Sequence, residues 1–188
     1  MIIDTNLTIF GGTGDLTFRK LLPALYTMDI TGKLPGNSRI VIIGRRDFDN
    51  ASYRQAAREW VEKNSRLPFE EKSYGHFSEK IYYYRMNFSE LSKYEALDRY
   101  YRQNEIRSHL FYYAVAPRFF SVITKGLKMV GGSEEGKVIL EKPFGENLAS
   151  ATVLNKELEA HFGAGQIYRI DHYLGKEMVR NIQAIRFA

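Results

Sequence analysis

Cysteine is missing from this sequence of 188 residues. Its absence excludes a disulfide framework, a thiolate nucleophile and any thiolate metal site, and it fits a reducing compartment. No apolar run approaches the roughly 18 residues of a membrane span. The opening Met1-Ile2-Ile3-Asp4-Thr5-Asn6 lacks a basic stretch followed by an apolar core, so no export signal is read there and cytoplasmic placement is expected. Repeats, low-complexity tracts and heptad runs are also lacking. A strong charge bias is lacking too: 27 Lys plus Arg oppose 22 Asp plus Glu, a net charge of +5. So small and dispersed an excess does not demand a nucleic acid, and it suits an anionic small molecule equally well.

What is present is ordinary globular material. Hydrophobic residues make up 44% and charged residues 26%, enough to bury a core in one domain of middling size. Aromatics reach 14%, with 13 Tyr, and most of these are expected in the interior.

Short apolar runs alternate with helical spacing. Strands are expected over 7–10, 39–44, 81–86, 109–115, 137–140 and 166–170. The run Arg39-Ile40-Val41-Ile42-Ile43-Gly44 is apolar throughout its centre, as strands buried on both faces are. Helices are expected over 16–30, with Pro23 as an internal blemish, and over 53–63, capped by Asn50 or Ser52. Further helices are expected over 91–103, from Pro117 onward, over 148–161 and over 174–181. The polar stretch 65–79, with Pro68 and Gly75, reads as an irregular connection. The pattern predicts an α/β fold, a doubly wound parallel sheet with helices on both faces.

Gly11-Gly12-Thr13-Gly14-Asp15-Leu16 follows the first strand and opens the first helix. In that position Gly12 is expected to allow a sharp turn and Gly14 a close approach to a pyrophosphate, with helix N-terminal N–H groups holding the charge. Thr17 stands where the dinucleotide fingerprint has its third glycine. Arg19-Lys20 adds positive charge one turn on. The second strand reports on the ribose: an acid there suits NAD, an arginine the 2′-phosphate of NADP. It ends Gly44-Arg45-Arg46-Asp47. The forked, permanently charged donors of Arg45 or Arg46 favour NADP, while Asp47 leaves NAD use open.

Glu141-Lys142-Pro143-Phe144-Gly145 and Arg169-Ile170-Asp171-His172-Tyr173-Leu174-Gly175-Lys176-Glu177 resemble signatures of the glucose-6-phosphate dehydrogenase family. The turn from Gly11 to Lys20 resembles that family's GxxGDLxxRK turn, and Ala114-Val115-Ala116-Pro117 its nicotinamide-side loop. The resemblance implies a Rossmann-like NADP-binding domain over residues 1–182. Residues 183–188 would begin the larger β+α domain, which is absent from this sequence and through which the family forms homo-oligomers. It further implies oxidation of glucose 6-phosphate at C1 to 6-phosphogluconolactone.

On these residues the resemblance lays Lys142 against both cofactor and sugar, with a cis bond to Pro143. It places Lys20, His172, Tyr173 and Lys176 at the sugar phosphate, Asn87 at the cofactor, and Asp171 as the carboxylate that orients a catalytic histidine. That histidine lies downstream in the family, and none of His76, His109 or His161 falls in a matching motif. No metal is expected. Two other readings remain: a related nucleotide-dependent sugar oxidoreductase, against which the Asp171–Lys176 motif argues, and a non-catalytic binding module. The latter would sense a dinucleotide or use the Tyr-rich stretch 82–102 on nucleic acid. Core packing explains those tyrosines better.

Overall fold

The computed structural model describes residues 6–144 and 148–170. Its frame is a six-stranded sheet in which every registered pair is parallel. The strands are β1 (Asn6–Phe10), β2 (Arg39–Gly44), β3 (Ile81–Arg85), β4 (Leu110–Tyr113), β5 (Lys137–Glu141) and β6 (Ile167–Ile170). They lie in the order β3-β2-β1-β4-β5-β6, which confirms the doubly wound sheet. The chain builds outward from β1 to β3, then crosses back to start again on the other side of β1. The order therefore reverses between β1 and β4.

Alternation along each strand divides the interior in two. Ile9, Ile40, Ile42, Ile81, Tyr83 and Tyr112 face one layer, with α1 (Leu22–Ile30), α2 (Asn50–Asn64) and α3 (Glu71–Glu79) packed over them. Phe10, Val41, Ile43, Phe111, Tyr113, Val138 and Leu140 face the other, covered by α4 (Tyr94–Gln103), α5 (Phe120–Leu127) and α6 (Leu148–Glu159). Each fully buried aliphatic or aromatic side chain contributes about 1.5–3 kcal/mol, and both layers hold many of them. Part of the Tyr-rich stretch belongs to this interior: Tyr83, Tyr94, Leu97 and Tyr101 are buried, the Tyr101 hydroxyl bonds Thr8 at 2.9 Å, and Tyr82, Tyr84 and Tyr100 are half-buried. The buried rings Tyr83, Tyr94 and Tyr101 offer no face to a base.

Four local expectations change. The first helix is not uniform, because a π-helical turn, Thr17–Leu21, precedes α1 and carries an N–H to C=O bond from Leu22 back to Thr17. The wider turn sits just before Pro23, which has no N–H to give. Helix α2 is capped by Asp49, not by Asn50 or Ser52. The Asp49 carboxylate accepts from the Ser52 N–H at 2.7 Å, and Ser52 Oγ accepts from the Asp49 N–H at 3.0 Å. Asn50 instead accepts from the Tyr83 N–H at 2.7 Å and ties α2 to β3.

The stretch 65–79 is not irregular throughout, since α3 occupies its second half. Tyr74 and Phe77 bury themselves against Tyr26, and Arg58 on α2 pairs with Glu71. Finally, β4 is shorter than expected and leaves His109 and Val115 outside the strand. The expected helix over 174–181, the boundary at 182 and the stretch 183–188 lie outside the described residues. Among the described residues no helix is long and apolar enough to cross a membrane.

Candidate functional site

Because the strands are parallel, their carboxyl ends share one edge, and the glycine turn leaves β1 on that edge where the strand order reverses. Gly11 has φ +88°. A Cβ on it would stand 2.3 Å from the Ala114 carbonyl oxygen and 2.7 Å from Val115 Cγ1, so the turn and the loop after β4 touch backbone to backbone. The sharp turn is therefore made at Gly11, a correction to the expectation that Gly12 makes it. Gly12 serves close packing instead, because a Cβ there would sit 2.0 Å from Ile42 Cγ2.

The turn is fixed by its own hydrogen bonds. Gly11 and Gly12 N–H groups both donate to the Ile43 carbonyl at 3.2 and 2.9 Å, and the Gly14 N–H donates to the Gly11 carbonyl at 2.9 Å. Thr17 accounts for the missing third glycine: it is buried, and its hydroxyl donates to the Gly11 carbonyl at 3.1 Å. Thr13, Gly14, Asp15 and Leu16 remain at least partly accessible. The N–H groups of a first helical turn have no intrahelical acceptors, so this surface fits a dinucleotide's phosphates. The Asp15 carboxylate is engaged by Arg19 at 3.2 Å, and Lys20 is exposed beside it.

At the end of β2, Arg45 and Arg46 are exposed, and among the described residues neither is ion-paired. The segment is held from below by residues the sequence did not single out. The Tyr83 hydroxyl donates to the Arg46 carbonyl at 2.7 Å. Tyr83 stacks on Tyr53 with ring centroids 5.0 Å apart, and the Tyr53 hydroxyl donates to the Gly12 carbonyl. Burial pushes the pKa of both phenols up, so they stay neutral donors. A tyrosine pair thus joins the glycine turn to the arginine segment. Its only sequence signal was the alternation Ile81, Tyr83, Arg85 on one face of β3.

Lys142 leaves the end of β5 on the same edge, exposed, and its bond to Pro143 is cis, as the resemblance implied. The preceding Glu141 carboxylate accepts a hydrogen bond from the Tyr112 hydroxyl on β4. Burial, and then that bond, raise the Tyr112 pKa. Asn87, after β3, is exposed with its side chain turned to local partners: it donates to Glu90 at 2.7 Å and accepts from the Ser89 N–H at 3.2 Å. Asp171, His172, Tyr173 and Lys176 lie outside the described residues, as does Gly145.

The described histidines sit elsewhere. His109 precedes β4, buried against Phe111, and burial lowers its pKa. His161 lies beside Ser133, ahead of β5, at 3.1 Å. His76, on α3, lines a surface hollow with Asn6 and Arg39. All are toward the amino ends of the strands, away from the glycine turn.

Comparison with known proteins agrees with this geometry. Residues 8–181 match the family described as "Glucose-6-phosphate dehydrogenase, NAD binding domain". The chain is 37% identical over 190 residues to glucose-6-phosphate 1-dehydrogenase of Bacillus subtilis, covering 97% of this chain and 38% of that protein. It is 36% identical over 184 residues to the enzyme of Dickeya dadantii, covering 97% and 37%. Among solved structures, a glucose-6-phosphate dehydrogenase in complex with its substrate glucose 6-phosphate superposes with a TM-score of 0.81 at 32% identity, over 98% of this chain and 40% of that one. The enzyme from Mycobacterium avium superposes with a TM-score of 0.84 at 29% identity, over 98% and 39%. The chain spans under two-fifths of the length of the curated relatives named here. With its strand order, glycine turn and family match in agreement, the chain belongs to the glucose-6-phosphate dehydrogenase family and carries that family's nicotinamide-dinucleotide-binding domain.

Proposed function

We propose that this domain binds NADP across the carboxyl ends of β1, β2 and β4 and serves a cytoplasmic glucose-6-phosphate 1-dehydrogenase of the pentose phosphate pathway. The observation that carries the proposal is the contact of the Gly11 turn with the Ala114–Val115 loop at the reversal of strand order, with Arg45 and Arg46 beside it. Gly11, Gly12, Thr13, Gly14, Asp15 and Leu16 line the pyrophosphate, Arg45 or Arg46 meets the 2′-phosphate, and Asn87 borders the adenosine side. NADP, when bound, accepts a hydride from C1 of glucose 6-phosphate.

The chain's own residues bind and orient. Lys142, at the end of β5, reaches both cofactor and sugar, and its ammonium favours the negative charge that builds on the sugar oxygen as the C1 hydroxyl loses its proton. Lys20, His172, Tyr173 and Lys176 hold the sugar phosphate. Asp171 orients a histidine that the family supplies from downstream, fixing its tautomer and favouring the imidazolium it becomes. The complete protein forms a homo-oligomer.

Titration of NADP and NAD against the chain and its Arg45→Ala and Arg46→Ala variants tests the cofactor assignment. One of the two variants is expected to lose about 1.5–3 kcal/mol of NADP binding, the scale of a charge-assisted phosphate contact, with NAD binding nearly unchanged. Equal affinity of the unmodified chain for both cofactors, with no selective loss in either variant, would remove the 2′-phosphate assignment.

A further inference from the structure

Asp47 follows Arg45-Arg46 directly, and a carboxylate at the end of a second strand is the group that accepts a ribose 2′-hydroxyl and repels a 2′-phosphate. In this fold it is occupied. Arg85 Nη1 lies 2.6 Å from Asp47 Oδ1. Arg85 ends β3 in register with Gly44, and the Met86 N–H donates to the Gly44 carbonyl at 2.8 Å. Strand β3 is thereby held level with the point where β2 opens into the arginine segment.

Arg85 shares a face with Tyr83, two residues back, whose hydroxyl holds the Arg46 carbonyl. Phe48 closes edge-on over Tyr83 at 5.7 Å. The segment 45–47 is thus fixed at its backbone by Tyr83 and at its acidic side chain by Arg85. The pair is open to solvent, with 59% of the Arg85 and 85% of the Asp47 side chain accessible. Such pairs add little to folding stability, so the consequence of this one lies in charge placement.

We propose that Arg85 is a positioning residue for cofactor selectivity: by engaging Asp47 it withdraws the one carboxylate of the 45–47 segment and leaves Arg45 and Arg46 to face a phosphorylated ribose. This inference rests on the reading that the segment meets the 2′-phosphate of NADP. A phosphate monoester carries about −1.5 to −2 charges at neutral pH, so a released carboxylate nearby opposes it directly. The same carboxylate, once free, becomes an acceptor for the hydroxyl of NAD.

The test is equilibrium titration of the 188-residue chain with NADP and with NAD, comparing unmodified chain, Arg85→Ala, Arg85→Lys, and Arg85→Ala combined with Asp47→Asn. Arg85→Ala is expected to weaken NADP about three- to tenfold while NAD binds equally well or better. Adding Asp47→Asn is expected to restore NADP affinity to within about twofold, and Arg85→Lys to keep most of it. Loss of NADP affinity that Asp47→Asn does not restore would mean that Arg85 acts on the cofactor itself. Equal loss of both cofactors would mean a structural role only, and an unchanged ratio no role; each overturns the proposal. A chain that shows no preference for NADP before any substitution would overturn the reading of Arg45 and Arg46 as well. Preference intact but insensitive to Arg85 would remove the role of Arg85 alone.

Discussion

Gly11→Ala is expected to remove measurable dinucleotide binding and to lower the melting temperature by roughly 5–15 °C, as read by titration and thermal denaturation. An alanine held in the left-handed region costs about 1–2 kcal/mol. At φ +88° its methyl would also press to 2.3 Å from the Ala114 carbonyl oxygen, an atom that moves only if the loop after β4 moves. Relief of such overpacking costs about 1–3 kcal/mol more, and each kcal/mol is worth about 2–4 °C in a domain of this size. The loss of binding follows from the same displacement, because the N–H groups of the turn are aimed by its contact with Ala114 and Val115 and by its bonds to Ile43. Unchanged affinity in a folded Gly11→Ala chain would show that this turn does not hold the cofactor.

Lys142→Ala, measured in the complete dehydrogenase, is expected to lower kcat about 10²-fold or more while changing cofactor affinity only a few-fold. A charge positioned at the reacting centre matters most where charge develops, so its removal is felt in turnover before it is felt in binding. Lys142 directly follows β5, whose last residue, Glu141, is held from β4 by Tyr112. Comparing kcat, KM and dinucleotide affinity separates the two effects. Unchanged turnover would make the Glu141-Lys142-Pro143 segment a structural corner.

The residues that could be read from sequence are those whose pattern is local. Strand β2 announced itself because Ile40, Val41, Ile42 and Ile43 are apolar without interruption, and burial on both faces of the sheet is the reason. The glycine turn was legible because its residues act through their own backbone. Helix α3 was hidden because it shows only Tyr74 and Phe77 to the interior, carries Gly75 at its middle, and takes its support from Tyr26 and Arg58 on other helices. The sharp turn falls to Gly11 and not Gly12 because the deciding neighbours are remote in sequence: Ala114 in the loop after β4 and Ile42 in β2. The supports of the site escaped for the same reason: Tyr53 meets Gly12 across 41 positions and Tyr83 meets Arg46 across 37, separations that no periodicity reports.

Binding of NADP over the carboxyl ends of β1, β2 and β4 can be followed residue by residue, by mapping amide shifts in the nitrogen-labelled chain as NADP is added. The largest shifts are expected at Gly11 to Thr17, Arg45 to Asp47 and Ala114 to Val115, with the amino ends of the strands around Arg39, His109 and Lys137 unmoved. Shifts gathered at those amino ends, with the glycine turn silent, would contradict it.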